Sequence, residues 1–264
     1  MFDITNYGLL HYFLGIQVWQ EKDMILLSQQ KYALDLLKKF KMENCKADPT
    51  PINAGVKIRS KSISEKFDGT LYRQLVGSLL YLTTTRPDIA YVVGMVSIFM
   101  EYPYLEHWKE AKIILRYIKG KYHLGLEYQY GGKVQLVGYT DSDWAGDVEE
   151  RRSTSGYVCH IDSGEISWSS KKQAIVSLSS TKAEYKGATI ATQEATWLRG
   201  ILLELNHSQT RATTIYCNNQ STIQLTKILI FHARTKHIEI HHLYVHEQTL
   251  RRALKLKLKD NNVY

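Results

Sequence analysis

Two acidic residues in the second half of the sequence stand where they could share one site. Asp141 lies in the segment Thr-Asp-Ser-Asp-Trp, residues 140–144, at the end of a β-rich run, and Glu184 lies in the first turn of a long helical segment. Carboxylates gathered at strand and helix ends suit a hard cation such as Mg²⁺, which takes oxygen ligands and keeps waters and substrate phosphates in its shell. Their types and positions therefore suggest a divalent metal site.

Both acids also have a structural explanation. The segment from Asp141 to Asp143 is typical of a solvated loop after a strand. Thr181, followed three residues later by Glu184, matches a capping box, in which two side chains satisfy backbone amides at a helix start. Spacing alone leaves these alternatives open.

The elements that would position these acids predict an α/β domain over residues 131–264. Patterns of alternation and turn residues indicate three strands, a long helix, a strand, a short helix, a helical stretch and a final Leu-Lys strand. This order is that of a mixed sheet. The expected ranges are 134–139, 156–161, 165–169, 180–205, 213–217, 220–227, 236–252 and 254–259.

Residues 1–130 predict a second, mostly helical domain. A hairpin at 10–27 precedes a helix to Phe40, Pro87 starts the second half of a helical hairpin, and a strand at 124–130 ends the domain. All four prolines fall in this half. The seam is expected at Gly131-Gly132.

Composition narrows the class of protein. The chain has 264 residues, 34 Lys and Arg against 26 Asp and Glu, and a net charge of +8, which suits a polyanionic partner. Hydrophobic residues at 44% are typical of a globular protein. Three separated cysteines suggest neither a disulfide framework nor a zinc ribbon. The sequence shows no signal peptide and no apolar run of membrane-spanning length, so we expect an intracellular protein, cytoplasmic or nuclear, without a membrane partner.

From Leu10 to about Glu247, a series of motifs in fixed order resembles one family. That family is the polyprotein of Copia-type LTR retrotransposons, and the match covers the end of the reverse transcriptase region and the ribonuclease H domain. The motifs are HYFLGIQV (11–18), LSQQKYALDLLKKF (27–40), YRQLVGSLLYLTTTRPDIAY (72–91), ILRYIKG (114–120), TDSDWAGD (140–147), RRSTSGY (151–157), ISWSSKKQ (166–173), SLSSTKAEY (177–185), EATWLR (194–199), CNNQSTI (217–223) and RTKHIEI (234–240).

The resemblance implies a ribonuclease H-like domain at 131–264, preceded by a thumb- or connection-like part of a reverse transcriptase at 1–130. Its chemistry would be hydrolysis of the RNA strand of an RNA–DNA hybrid, with Mg²⁺ or Mn²⁺ held by acidic residues. Asp141 and Glu184 match the family's first two acids. Asn218 stands where the family has its third.

Asn218 keeps the shape of an aspartate but is neutral, so it cannot offset the repulsion between two dications. The family's fourth acid lies in a helix after the last strand; the sequence ends at Tyr264 before that helix, and Asp260 is a poor match by position. We therefore expect weak metal binding and weakened or lost hydrolysis. The paired-aspartate polymerase motif is absent from this sequence, so no polymerase activity is expected.

Two basic pairs could contact nucleic acid. Arg151, Arg152, Lys171 and Lys172, with Ser153, Thr154 and Gln173 beside them, could reach phosphate or 2′-hydroxyl groups across the minor groove of a hybrid. The alternative is that these residues are solvated hairpin ends. Likewise, His237, His241 and His242 could bind zinc or simply belong to a partly exposed helix.

Three functional hypotheses follow. The first is a retrotransposon-derived ribonuclease H-like protein with weak or lost hydrolysis of hybrids. The second is a non-catalytic module that binds nucleic acid through its basic surface. The third is a relic or a reused, effector-like interaction protein, for which the charge of +8 is incidental.

Overall fold

The protein is described from a computed structural model, which covers residues 8–53, 64–132, 134–147, 149–162, 164–226, 244–251 and 253–259. The chain divides into two compact units, Met1–Gly131 and Gly132–Tyr264. No helix in these described ranges is long and apolar enough to cross a membrane.

Unit 1 combines helices with a small antiparallel sheet. Its elements are β1 Tyr12–Phe13, β2 Ile16–Gln20, β3 Met24–Ser28, α1 Gln30–Lys39, α2 Gly69–Leu82, a 3₁₀ turn Pro87–Ile89, α3 Ala90–Ser97, α4 Leu105–Lys121 and β4 Gly125–Gln129. The sheet has the order β1-β2-β3-β4, so the hairpin predicted near the start pairs with the strand that ends the unit.

The helices of unit 1 enclose one apolar core. Tyr72, Leu79 and Leu115 are completely buried there. Arg86 is 2% exposed, forms an ion pair with Asp88 through two guanidinium nitrogens, and donates a third hydrogen bond to the carbonyl of Lys121. A planar guanidinium provides such a fork, whereas an ammonium does not. Arg86 therefore joins the 3₁₀ turn to the end of α4.

Unit 2 is a five-stranded mixed sheet, and the predicted order of its elements is confirmed. The elements are β5 Leu136–Ser142, β6 Thr154–Ile161, β7 Gly164–Lys172, α5 Ser180–Glu204, β8 Thr213–Cys217, α6 Gln220–Leu225, helical residues 244–250 and β9 Leu254–Leu258. The sheet has the order β7-β6-β5-β8-β9; β5, β6 and β7 pair antiparallel, while β8 pairs parallel with both β5 and β9.

Helix α5 packs closely on the sheet because its inner face is made of small residues. Ala183, Ala188, Ala191 and Ala195 are all completely buried. At Gly187 a Cβ atom would collide with the hydroxyl oxygen of Ser142 on β5, so glycine is what permits this close approach. The helix start is thereby held against β5.

The capping box considered as an alternative at Thr181 and Glu184 does not form. The N-cap of α5 is Ser179, whose hydroxyl accepts a hydrogen bond from the backbone N–H of Lys182 at 3.3 Å. Because Ser179 already caps the helix, Glu184 lies in the second turn of the helix and is not needed for capping.

Candidate functional site

The end of the sheet brings Asp141 and Asn218 into contact. Strands β5 and β8 run parallel with Thr140 opposite Cys217, so the residues that follow lie side by side. The side-chain amide of Asn218 donates a hydrogen bond to Asp141 Oδ1 at 2.8 Å. Both residues are exposed. The first and third predicted site residues therefore meet at the same edge of the sheet.

Glu184 faces the same place from α5. It is 5% exposed, and its Oε2 atom has no hydrogen-bond partner among the described residues. Burial first, and then the negative charge of Asp141, raise the pKa of Glu184 to about 7, although a hydrogen bond from the backbone of Ser142 opposes the shift. Because Ser142 follows Asp141 directly on β5, its hydrogen bond to Glu184 brings the second acid to the same end of the sheet.

These residues fit a divalent cation incompletely. A buried carboxylate oxygen without a partner, next to a second carboxylate, would be stabilised by a hard dication. Asn218 instead points an N–H group at Asp141 and contributes no charge. Within the described ranges, no group of three or more His, Cys, Asp or Glu side chains could hold a metal ion. Two carboxylates carry enough negative charge for one divalent cation but not for two neighbouring ones.

Asp143 has a structural role in the loop that follows β5. Its Oδ1 accepts a hydrogen bond from the backbone N–H of Thr154. Burial raises the pKa of Asp143, while hydrogen bonds from the backbones of Thr154 and Gly146 act in the opposite direction. Asp143 therefore closes the loop between β5 and β6.

The basic pairs differ in how much positive charge they leave available. The ammonium of Lys172 is ion-paired with both Asp147 and Glu150, and Arg152 lies 3.5 Å from Glu150. Arg151 and Lys171 are exposed. Local acids thus neutralise one member of each pair and leave the other facing solvent.

The expectation that Ser153 and Gln173 contact nucleic acid needs correction. Ser153 is completely buried and accepts a hydrogen bond from the backbone of Ala145 at 3.2 Å. Gln173 is 7% exposed and bonds to groups inside the unit. Thr154 is half-buried and uses its backbone N–H on Asp143. Buried groups with internal partners cannot reach a strand on the surface.

A pair of buried hydroxyls under the site did not emerge from the sequence. Ser142 and Ser155 lie in hydrogen-bond contact at 2.8 Å, between β5 and β6. The alternation in β5 could have indicated these buried hydroxyls, because residues 136, 138, 140 and 142 form its buried face and the last two of them are polar. The histidines considered for zinc, His237, His241 and His242, lie outside the described residues.

No protein-family model matches the chain. The retrovirus-related Pol polyprotein from transposon RE1 of Arabidopsis thaliana is 40% identical over 255 residues, which are 97% of this chain and 17% of that protein. The corresponding polyprotein from transposon TNT 1-94 of Nicotiana tabacum is 40% identical over 271 residues, 98% of this chain and 20% of that protein. Secreted RxLR effector protein 161 of Plasmopara viticola is 51% identical over 128 residues, 48% of this chain and 90% of that protein.

Two solved structures are similar at low identity. The foamy viral protease-reverse transcriptase in complex with an RNA/DNA hybrid has a TM-score of 0.48 and 11% identity, covering 96% of this chain and 29% of its own. LC11-RNase H1 has a TM-score of 0.36 and 11% identity, covering 48% of this chain and 86% of its own.

The order of elements, the mixed sheet and the carboxylates at its edge define unit 2 as a ribonuclease H-like α/β domain. With the relatives that match along nearly its whole length, the chain belongs to the retrovirus-related Pol polyproteins of Copia-type transposons, as the motif series predicts. It spans about one fifth of the length of these relatives.

Proposed function

We propose that residues 131–264 are a ribonuclease H-like domain that binds RNA–DNA hybrids and whose hydrolysis of the RNA strand is weakened or lost. Residues 1–130 would be the thumb- or connection-like end of the reverse transcriptase region. The family membership and the placement of Asp141 and Glu184 at one edge of the sheet support this proposal.

The hydrogen bond from Asn218 to Asp141 carries the proposal that hydrolysis is impaired. Asp141 and Glu184 would hold one Mg²⁺ or Mn²⁺, and such an ion polarises a phosphate and lowers the pKa of a bound water. Glu184 has a pKa of about 7 and must lose its proton to act as a ligand. Asn218 must turn its N–H group away from Asp141 before its carbonyl oxygen can contribute.

The exposed cations provide the proposed contacts with the hybrid. Arg151 lies just before β6, and Lys171 lies near the end of β7, opposite Ser155 at the start of β6. Both are exposed and have charge available for phosphates. Arg152 and Lys172, which are paired with acids, would contribute less. This division of roles requires only long-range attraction and no base-specific contact.

Binding without cleavage is the second candidate. The same hydrogen bond favours it, because Asn218 already satisfies an oxygen of Asp141 that a cation would otherwise occupy. In this case hybrid binding persists in the presence of a chelator and weakens with salt, since phosphate contacts release counterions. An interaction protein without a nucleic-acid role would instead show no binding that responds to salt.

Cleavage of a labelled RNA–DNA hybrid, with Mg²⁺ and separately with Mn²⁺, tests the proposal. The proteins compared are wild type, Asn218→Asp and Asp141→Asn, and binding is followed in parallel by fluorescence anisotropy. We expect little cleavage by wild type and restored cleavage by Asn218→Asp. Strong cleavage by wild type that disappears in Asp141→Asn would show that Asn218 does not impair the site.

A further inference from the structure

Gln173 occupies a buried position between three parts of unit 2. It follows β7 directly, and its Nε2 donates hydrogen bonds to Ser155 Oγ at 2.7 Å and to the carbonyl oxygen of Ala183 at 3.0 Å. Its Oε1 accepts a hydrogen bond from Ser177 Oγ at 2.7 Å. The side-chain amide thus joins strand β6, the start of α5 and the loop between β7 and α5.

These buried bonds link the chain segments that carry the two acids of the site. Ala183 precedes Glu184 in α5, and Ser155 contacts Ser142, which follows Asp141 in β5. A continuous path of hydrogen bonds therefore runs from the residue beside one acid to the residue beside the other. Every polar atom of the Gln173 amide takes part in this buried network, which makes its geometry well defined.

Helix α5 approaches β5 closely, and the side chain of Glu184 accepts a hydrogen bond from the backbone of Ser142 there. Gly187 faces Ser142, and the neighbouring contacts of the helix are made by alanines. Alanine and glycine contacts allow small sliding movements, whereas an amide that donates to a fixed carbonyl resists them. Gln173 adds a second polar tie, because it joins the backbone of this first turn, at Ala183, to Ser155 on β6.

We propose that Gln173 is a positioning residue that fixes Glu184 relative to Asp141, an inference that rests on the metal-site function proposed above. Buried groups that support metal ligands commonly set the ligand geometry and thereby the affinity for the ion. Loss of the amide should loosen the first turn of α5 and weaken a divalent ion held between the two acids.

Gln209 provides a matched control in the same unit. It too makes three hydrogen bonds with its side chain, donating to the carbonyls of Val134 and His207 and accepting from the backbone N–H of Leu136. None of these partners lies in α5. Gln173→Met and Gln209→Met therefore remove similar numbers of bonds, but only the first removes a bond to the helix that carries Glu184. Ser155→Ala is a milder variant of the same network.

Two measurements on the full chain separate positioning from general stability. Hydrogen exchange reports the protection of the amides at residues 183–185, and Mn²⁺ titration followed by electron paramagnetic resonance reports ion affinity. We expect Gln173→Met to speed exchange at these amides and weaken Mn²⁺ affinity, each about tenfold, as for the loss of one buried hydrogen bond. Ser155→Ala should shift both in the same direction by less, and Gln209→Met should change neither.

Equal effects of Gln173→Met and Gln209→Met on exchange at residues 183–185 would overturn the inference, as would faster exchange with unchanged Mn²⁺ affinity. If Gln173→Met does not fold, Ser155→Ala is compared with Gln209→Met instead. Equal effects of these two variants on exchange at residues 183–185, or faster exchange in Ser155→Ala with unchanged Mn²⁺ affinity, would likewise overturn the inference. Absence of Mn²⁺ binding by wild type would count against the proposed metal site, while the exchange data would still show whether Gln173 fixes the helix start.

Discussion

Replacing Asn218 with aspartate should make the stability of unit 2 depend on a divalent metal. The change removes a hydrogen bond of 2.8 Å to Asp141 and places a second negative charge beside it. Two like charges about 4 Å apart repel by about 1 kcal/mol in water and about 4 kcal/mol near a protein surface. Since both residues are exposed, we expect Asn218→Asp to lower the free energy of unfolding by about 2 kcal/mol in metal-free buffer.

Urea unfolding at pH 8, with EDTA and then with increasing Mn²⁺, measures this effect. An ion at 100 times its dissociation constant adds about 2.7 kcal/mol to the free energy of unfolding, so Mn²⁺ should restore Asn218→Asp and stabilise wild type less. Asn219→Asp is the control, because Asn219 caps α6 by accepting from the N–H of Thr222, which aspartate does equally well. Equal destabilisation by both variants, or an equal response of wild type to Mn²⁺, would refute the reasoning.

Three further outcomes follow from the structure. The pKa of Glu184 is raised from 4.5 to about 7 in the folded state, so between these values the folded protein binds a proton that the unfolded chain does not. The free energy of unfolding without metal should therefore fall as pH rises from about 5 to 7. Glu184→Gln should flatten this dependence when urea unfolding is measured at each pH. Arg86→Lys should lower the free energy of unfolding of unit 1 by about 2 kcal/mol, whereas Arg116→Lys, at a more exposed ion pair, should lower it by less than about 1 kcal/mol. Lys171→Gln should reduce the slope of the logarithm of the hybrid binding constant against the logarithm of the salt concentration by about one. Lys172→Gln should reduce this slope less, because Lys172 is already paired with two acids. Equal slopes for the two variants would contradict the proposal that only Lys171 has charge available for phosphates.

The fold of unit 2 could be predicted because its signals are local. Alternation marks β5 and β9, a Ser-Gly turn marks the hairpin β6–β7, and a long Ala-rich segment marks α5. The predicted start of α5 at residue 180 is confirmed, but its capping residue was not predicted. Ser179 and Thr181 are both good caps, and the choice depends on which hydroxyl meets a free N–H.

The site was predictable only in part, because its contacts join distant residues. Asp141 and Asn218 are 77 residues apart in sequence and meet through the parallel pairing of β5 and β8. The series of motifs predicts that pairing, because it identifies the ribonuclease H-like fold in which these two strands are neighbours. The burial of individual side chains could not be predicted in the same way. Ser153 and Gln173 are polar and stand next to basic residues, so the sequence suggests an exposed surface. Only tertiary packing shows that both are enclosed and satisfied.

An amide at residue 218, where the family resemblance implies a carboxylate, should have opposite consequences for folding and for the proposed chemistry. Three ionised acids at one edge of a sheet repel one another unless a cation is bound, and so they destabilise the metal-free fold. Asn218 replaces this repulsion with a hydrogen bond to Asp141 and leaves the buried Glu184 facing one charge instead of two. We therefore expect unit 2 to keep its structure without a metal, whereas under the proposed function it would lack part of the negative charge needed to hold two dications together for hydrolysis.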